Sequence, residues 1–275
     1  MRGRTARGPV RSRRSASVTE RTSGVDGSRG RADHITRTGR AERPSVCVMD
    51  LELRDRVALV VGGRGTIGSA VAETLRREGA RVVVASRSAV GDDAVAMDTA
   101  SQESVDAAVA RVLDQHGRID VLVVTAAPAA GTLDPDRASD PEQVAAAIDG
   151  KALGFLRVAN AVLPAQREAG RGRVVVVSGQ NAYLSGNVTT SLRNAATSII
   201  AGNLADQYAG TGVTVNVVNP GRVTDEPSAA VQPGAGGESS PQQIADLVTF
   251  LSSPRSVVSG ESVSIAHKVL GQLTI

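Results

Sequence analysis

The stretch VALVVGGRGTIGSAVAETL, residues 57–75, constrains this chain more than any other. It opens on an unbroken apolar run and turns through Gly63-x-Gly65-x-x-Gly68. It then continues with Ile67, Val71 and Leu75 at helical spacing. An apolar run bounded by glycines reads as a strand buried on both faces, and the later spacing reads as an amphipathic helix. Glycines are needed between them if the backbone is to turn tightly and approach a pyrophosphate closely. The helix N-terminus then offers free amides and a partial positive charge to the phosphates. Gly62, Gly63, Arg64, Gly65, Thr66, Ile67 and Gly68 are therefore candidate cofactor-binding residues. The alternative is a plain tight turn between strand and helix.

What lies about 20 residues on bears on that choice, because NAD-binding versions of the motif place an acid there for the ribose 2′-hydroxyl. Here the second strand ends VVVASRS, with Ser86 and Arg87 in that position and no acid. Together with Arg64 in the glycine turn, Arg87 suits a 2′-phosphate, since guanidinium binds phosphate bidentately. The expectation is NADP(H) rather than NAD(H); the competing reading leaves Arg87 as a solvated charge at a strand end.

Beyond the turn, apolar strands alternate with helical patterns. Strands are expected at 55–61, 81–86, 93–97, 119–127, 172–178, 213–218 and 261–265. Helices are expected from about 66 to Gly79, at 104–115, from about Pro141 to Glu168, at roughly 190–209 and at 241–253. Alternation of this kind implies parallel pairing through right-handed crossovers, a Rossmann-type doubly wound α/β fold of about seven strands. Composition agrees: Trp is absent and Phe and Tyr total four, so the core must be built from Val, Ala, Leu and Ile. The segment 222–240, RVTDEPSAAVQPGAGGESS, holds no aromatic residue and reads as a flexible loop.

Charge separates the chain into two parts. Residues 1–48 carry twelve Arg against four acids, whereas the remainder carries 19 basic and 24 acidic residues, a net of −5. The Arg-rich head is expected to be disordered. It reads as a nucleic-acid-binding arm, a targeting segment, or sequence upstream of a true start at Met49, the last being preferred because MDLELRDRVALVVGG is a natural domain opening. The mildly acidic remainder, 49–275, argues against nucleic acid binding on the folded domain. The single cysteine, Cys47, excludes an internal disulfide framework and fits the cytoplasm, and no apolar run is long enough for a membrane span. His34, His116 and His267 show no metal-ligand spacing, and Ser178 has neither a Gly-x-Ser-x-Gly elbow nor an obvious His partner, so acyl transfer is not expected.

The glycine turn, the VVVASRS strand end and the order of the later strands together resemble the short-chain dehydrogenase/reductase family over about 51–270. AMDTAS places Asp98 where the family contacts adenine, with Thr99 beside it as a further cofactor-binding candidate. GRIDVLVVTAAP carries Ala126 and Ala127 at its cofactor-side end. GRVVVVSG ends on the serine, Ser178, and VTVNVVNPGRVTD carries Pro220, Gly221 and Val223 beside the nicotinamide. The resemblance implies reduction or oxidation of a carbonyl/alcohol pair. A Tyr transfers the proton, a Lys four residues later lowers its pKa and holds the ribose, a Ser steadies the substrate oxygen, and an Asn on the preceding long helix supports a proton relay. It also implies a homo-oligomer through the two long helices.

The match breaks at the Tyr–Lys pair. Counting back from Pro220-Gly221, Thr190 stands at the Tyr position and Asn194 at the Lys position. Working from Gly154, Lys151 takes the place of the helix Asn. A threonine hydroxyl is a far weaker acid than a phenol. Two residues can restore the chemistry: Tyr183 offers a phenol from the loop after the fifth strand, and Lys151 offers a cation that crosses the cleft and acts as acid or base if desolvated. The plainer readings are a packing Tyr183 and a partly exposed Lys151. The candidate catalytic set is thus Ser178, Tyr183, Lys151, Thr190 and Asn194. The expected function is an NADP(H)-dependent oxidoreductase with an atypical site acting on a small or medium organic carbonyl or alcohol. The alternative is a relative that senses nucleotide, binds a partner or performs a lyase- or cyclase-type step.

Overall fold

A computed structural model describes residues 49–127, 132–183 and 187–269, with Tyr183 described in its backbone only. The expectations for residues 1–48, Cys47 and His34 included, lie outside the described residues. Seven parallel strands form one sheet: β1 (Val57–Val61), β2 (Arg81–Ser86), β3 (Ala94–Ala96), β4 (Val121–Val124), β5 (Gly172–Val177), β6 (Val213–Pro220) and β9 (Ser262–Ile265), in the order β3-β2-β1-β4-β5-β6-β9. A separate parallel pair joins β7 (Arg222–Val223) to β8 (Glu238–Ser239), so the segment expected to be flexible is fastened at both ends. The helices are α1 (Thr66–Arg77), α2 (Gln102–His116), α3 (Pro141–Ile148), α4 (Gly154–Glu168), α5 (Val188–Gln207) and α6 (Pro241–Ser252).

All five residues of β1 are buried because helices cover both sheet faces. Its side chains alternate: Val57, Leu59 and Val61 join a core with Phe155, Val158 and Val162 of α4, while Ala58 and Val60 pack with Val71 and Leu75 of α1 and Ile244 of α6. The strand order reverses at β1, which pairs with β2 on one side and β4 on the other. A crevice is thereby opened at the carboxyl ends of these strands. Strand β4 stops at Val124 rather than at 127. Thr125 turns its hydroxyl to the carbonyl of Val61 at 3.1 Å, and residues 125–127 leave the sheet to face the crevice.

The long helix expected over 141–168 is interrupted. Asp149–Leu153 form a π-helical turn between α3 and α4. Such a turn inserts an extra residue and re-aims the side chains around it. Arg157 clamps it, donating to Asp149 Oδ1 at 2.6 Å and to the carbonyl of Thr99 at 3.1 Å, which ties the turn to the crevice wall.

Candidate functional site

The glycine turn is built as its spacing requires. Gly62 adopts φ +82°, and its amide donates to the Ala85 carbonyl at 2.8 Å. A Cβ at Gly68 would lie 2.2 Å from the Gly62 carbonyl oxygen, so only glycine lets α1 seat so close to β1. Helices α2, α3, α5 and α6 are each capped by a side chain, from Ser101, Asp140, Asn187 and Ser240. Helix α1 is not: its N-cap is Gly65 and no side chain accepts from its first turn. Its amides are left for a ligand, in the position where the helix dipole favours an anion.

These amides border a cavity of about 600 Å³ lined by Gly62, Gly65, Ser86, Arg87, Asp98, Thr99, Ala126 and Ala127 among others. Ser86 Oγ is buried beside it without a hydrogen-bond partner, and Arg87 and Asp98 are exposed on its rim. A dinucleotide fits this chemistry: open amides for the pyrophosphate, an unsatisfied hydroxyl at the ribose position and a guanidinium beyond it. Arg64 is turned toward the same edge, donating to the Ser88 carbonyl at 2.8 Å. Gly63 and Gly68 act by packing rather than by lining the cavity. Met97, Thr125, Thr132 and Gly150 also line it and were not anticipated. Pro220, Gly221 and Val223 lie away from its walls: Pro220 pairs with Ile265 in the sheet, a Cβ at Gly221 would meet the Gly237 carbonyl, and Val223 pairs with Ser239.

Beyond the carboxyl end of β5 the structure brings Lys151, Ser178 and Asn194 together. Lys151 projects from the π turn and is 6% exposed, not a partly solvated helix charge. Its Nζ donates to Asn194 Oδ1 at 2.7 Å and to the Ser178 carbonyl at 3.0 Å. Both acceptors are neutral. Burial first, and the charge of Arg193 second, push the lysine pKa down to about 7 from the usual 10.5. Arg193, buried on α5, was not singled out from the sequence, where nothing in SLRNAATS marks it as facing inward.

Thr190 and Asn194 share one face of α5, as i and i+4 must. The N-cap Asn187 accepts from the Thr190 amide at 2.9 Å, and Thr190 Oγ1 donates to the Asn187 carbonyl at 3.3 Å. Ser178 Oγ donates to the Asn194 carbonyl at 3.1 Å. Gly179 leaves room for the Asn194 carboxamide, since a Cβ there would sit 3.1 Å from Nδ2. Asn219 Oδ1 accepts from the Gly179 amide at 3.2 Å, and Asn219 Nδ2 donates to Ser262 Oγ at 2.8 Å, so β6 and β9 steady the end of β5. Tyr183 closes the short 3-10 turn Gln180–Tyr183; where its phenol points lies outside what the structure describes. Asp92 and Asp93 are exposed, and no cluster of metal-ligating residues occurs among the described residues.

Sheet order, crevice and uncapped glycine turn define a doubly wound dinucleotide-binding protein. The comparison with known proteins narrows this. A family model described as short chain dehydrogenase matches residues 56–233, and the chain belongs to that family of nicotinamide-dependent oxidoreductases. An uncharacterized oxidoreductase of Staphylococcus haemolyticus is 29% identical over 215 residues, covering 72% of this chain and 91% of that protein. The 3-oxoacyl-[acyl-carrier-protein] reductase of Vibrio cholerae is 28% identical over 240 residues, covering 78% and 97%. The solved aldohexose dehydrogenase of Thermoplasma acidophilum superposes with a TM-score of 0.66 at 20% identity, covering 79% of this chain and 94% of that one, a likeness of fold. Among the described residues no helix is long and apolar enough to cross a membrane.

Proposed function

We propose that this protein is an NADP(H)-dependent oxidoreductase of a small or medium organic carbonyl or alcohol in which Lys151 replaces the missing Tyr as proton carrier. One observation carries the proposal: a buried ammonium held between Ser178 and Asn194 by bonds of 3.0 and 2.7 Å. A lysine near pKa 7 exists as both acid and base at neutral pH, the condition for efficient proton transfer in either direction. The cofactor supplies or accepts hydride when bound. In reduction the ammonium of Lys151 gives its proton to the developing alkoxide; in oxidation the neutral amine takes it from the alcohol. Asn194 fixes the amine through Oδ1. The hydroxyl of Ser178 keeps lone pairs for a donor such as an alcohol. Arg87 and Arg64, both at the ribose end, support NADP(H) over NAD(H).

Val188, Leu192 and Ile199 are exposed apolar residues on α5, and Leu153 is exposed at the start of the neighbouring helix. They support a homo-oligomer through the two long helices; the proposal places it in the cytoplasm, with neither nucleic acid nor membrane as a partner.

The test is NADPH oxidation against a panel of ketones, aldehydes and oxoesters, repeated with Lys151→Ala. Consumption that vanishes in the variant while NADPH still binds is the expected result. A specific observation favours the second reading, a non-redox relative: the hydroxyls of Ser178 and Thr190 both donate to the backbone of α5 and its cap. NADPH bound tightly and consumed with no substrate would select that reading.

A further inference from the structure

The opposite end of the sheet carries a second group of charges that the redox site does not use. Four guanidiniums, from Arg56, Arg118, Arg171 and Arg173, gather where strands β1, β4 and β5 begin, around one carboxylate, Asp120. Asp120 is 6% exposed and fully engaged. Oδ2 accepts from the Val57 amide at 2.9 Å and meets Arg118 Nε at 2.9 Å, while Oδ1 accepts from Arg171 Nε at 3.0 Å. Arg56 reaches it only at 3.9 Å. The carboxylate of Asp55, next in the chain, is turned to Arg81 at 3.6 Å.

Arg173 is half-buried and donates only to neutral carbonyls, those of Ser253, Gly172, Gly212 and Pro254. Burial and the like charge of Arg56 both push its pKa down. The bonds that fasten the strand starts use Nε of Arg118 and Arg171. The Nη groups of Arg171 and Nη2 of Arg56 meet no acceptor among the described residues. Arg56, Arg171 and Arg173 instead border a half-open pocket of about 40 Å³ that is also lined by Val121, Gly172, Ser252, Pro254 and Asp120, whose two carboxylate oxygens are already held by Arg118, Arg171 and the Val57 amide. At about 10–15 Å³ per water, that space holds roughly three waters or one tetrahedral anion.

We propose that this pocket is a small-oxyanion site, separate from the cofactor crevice. It takes inorganic phosphate, sulfate or the phosphate group of a phosphomonoester between Arg56, Arg171 and Arg173. The ligand supplies the negative charge the cluster lacks, and planar guanidinium forks match its oxygens. A carboxylate presents two oxygens in one plane and engages the Nη groups of Arg56 and Arg171 less fully, with Arg173 adding mainly its charge.

The test uses the full chain carrying Arg64→Gln and Arg87→Gln, which weakens anion binding in the cofactor crevice; what the α1 amides still bind is common to all variants compared. Thermal unfolding is followed in phosphate, sulfate and chloride at equal ionic strength. Phosphate and sulfate are expected to raise the midpoint where chloride does not. Adding Arg56→Gln and Arg171→Gln is expected to reduce that response to the part due to the α1 amides. Equal midpoints in the three salts, or an undiminished phosphate response in the added variants, overturns the site. Crystals of the unaltered protein soaked in selenate give an independent reading. An anomalous peak within hydrogen-bond distance of Arg56 and Arg171 supports the site, and its absence overturns it. Glycerol phosphate binding more tightly than inorganic phosphate identifies an esterified ligand, and the reverse order a free anion; both support the site.

Discussion

The two ends of the crevice show how differently binding and chemistry are written into this fold. At the β1–β2 end, recognition rests on backbone: a positive-φ glycine, a close helix approach and the uncapped amides of α1. Such features depend on a few neighbouring residues, so the motif stays recognisable. At the β5–α5 end, the positive charge comes from another element: Lys151 arrives from the π turn and bonds to Asn194 of α5. In the proposed reading, cofactor recognition and proton transfer are separable.

The largest expected effect breaks the binding end alone. Gly68→Val places a side chain against the Gly62 carbonyl, and NADPH affinity measured by cofactor fluorescence should fall at least a hundredfold. At the other end, Lys151→Ala should lower kcat for reduction by about 10²–10⁴, with the NADPH dissociation constant changed only a few-fold. Comparable loss of both would mean that the two ends are not separable. Lys151→Arg keeps the cation but holds no proton that leaves near neutrality, so it should not restore turnover.

The pH dependence sharpens the same contrast. The reduction rate should fall as pH rises through about 7, where the ammonium is lost, and the oxidation rate should rise there. Stability depends on pH through the same lowered pKa. Between about 7 and 10.5 the unfolded chain binds a proton that the folded chain does not, so stability rises with pH, with a slope limited to about 1.4 kcal/mol per pH unit. Lys151→Met should flatten that rise in denaturant titrations at pH 7 to 10, and an unchanged slope would show that the folded lysine is not depressed. The smallest effect is expected from Arg87→Gln. Because this guanidinium is exposed, the preference for NADPH over NADH should drop by only about tenfold, read from the two KM values.

Most of the architecture was legible because its determinants are local. Apolar runs such as VALVV and VLVV announce buried strands, and the glycines of 62–68 announce the turn between β1 and α1. Even the outer limits of the interrupted helix, Pro141 and Glu168, can be read from its pattern. The pair β7–β8 escaped notice because two-residue strands carry no periodicity, and neither glycines nor small polar residues mark which partner they will find.

The site divides along the same line. The sequence by itself determined that the chain is a short-chain dehydrogenase, that its crevice is lined by a glycine turn, and that neither tyrosine is followed by a lysine four residues on. These are matters of residue type at fixed spacing. Only the tertiary structure decided that Lys151 is buried against Asn194 and Ser178, which are 43 and 27 residues away along the chain. The π turn sets that orientation by adding one residue to the helix, and burial sets the lysine's acidity. Neither carries a sequence signal, because both depend on what the rest of the fold packs around the side chain.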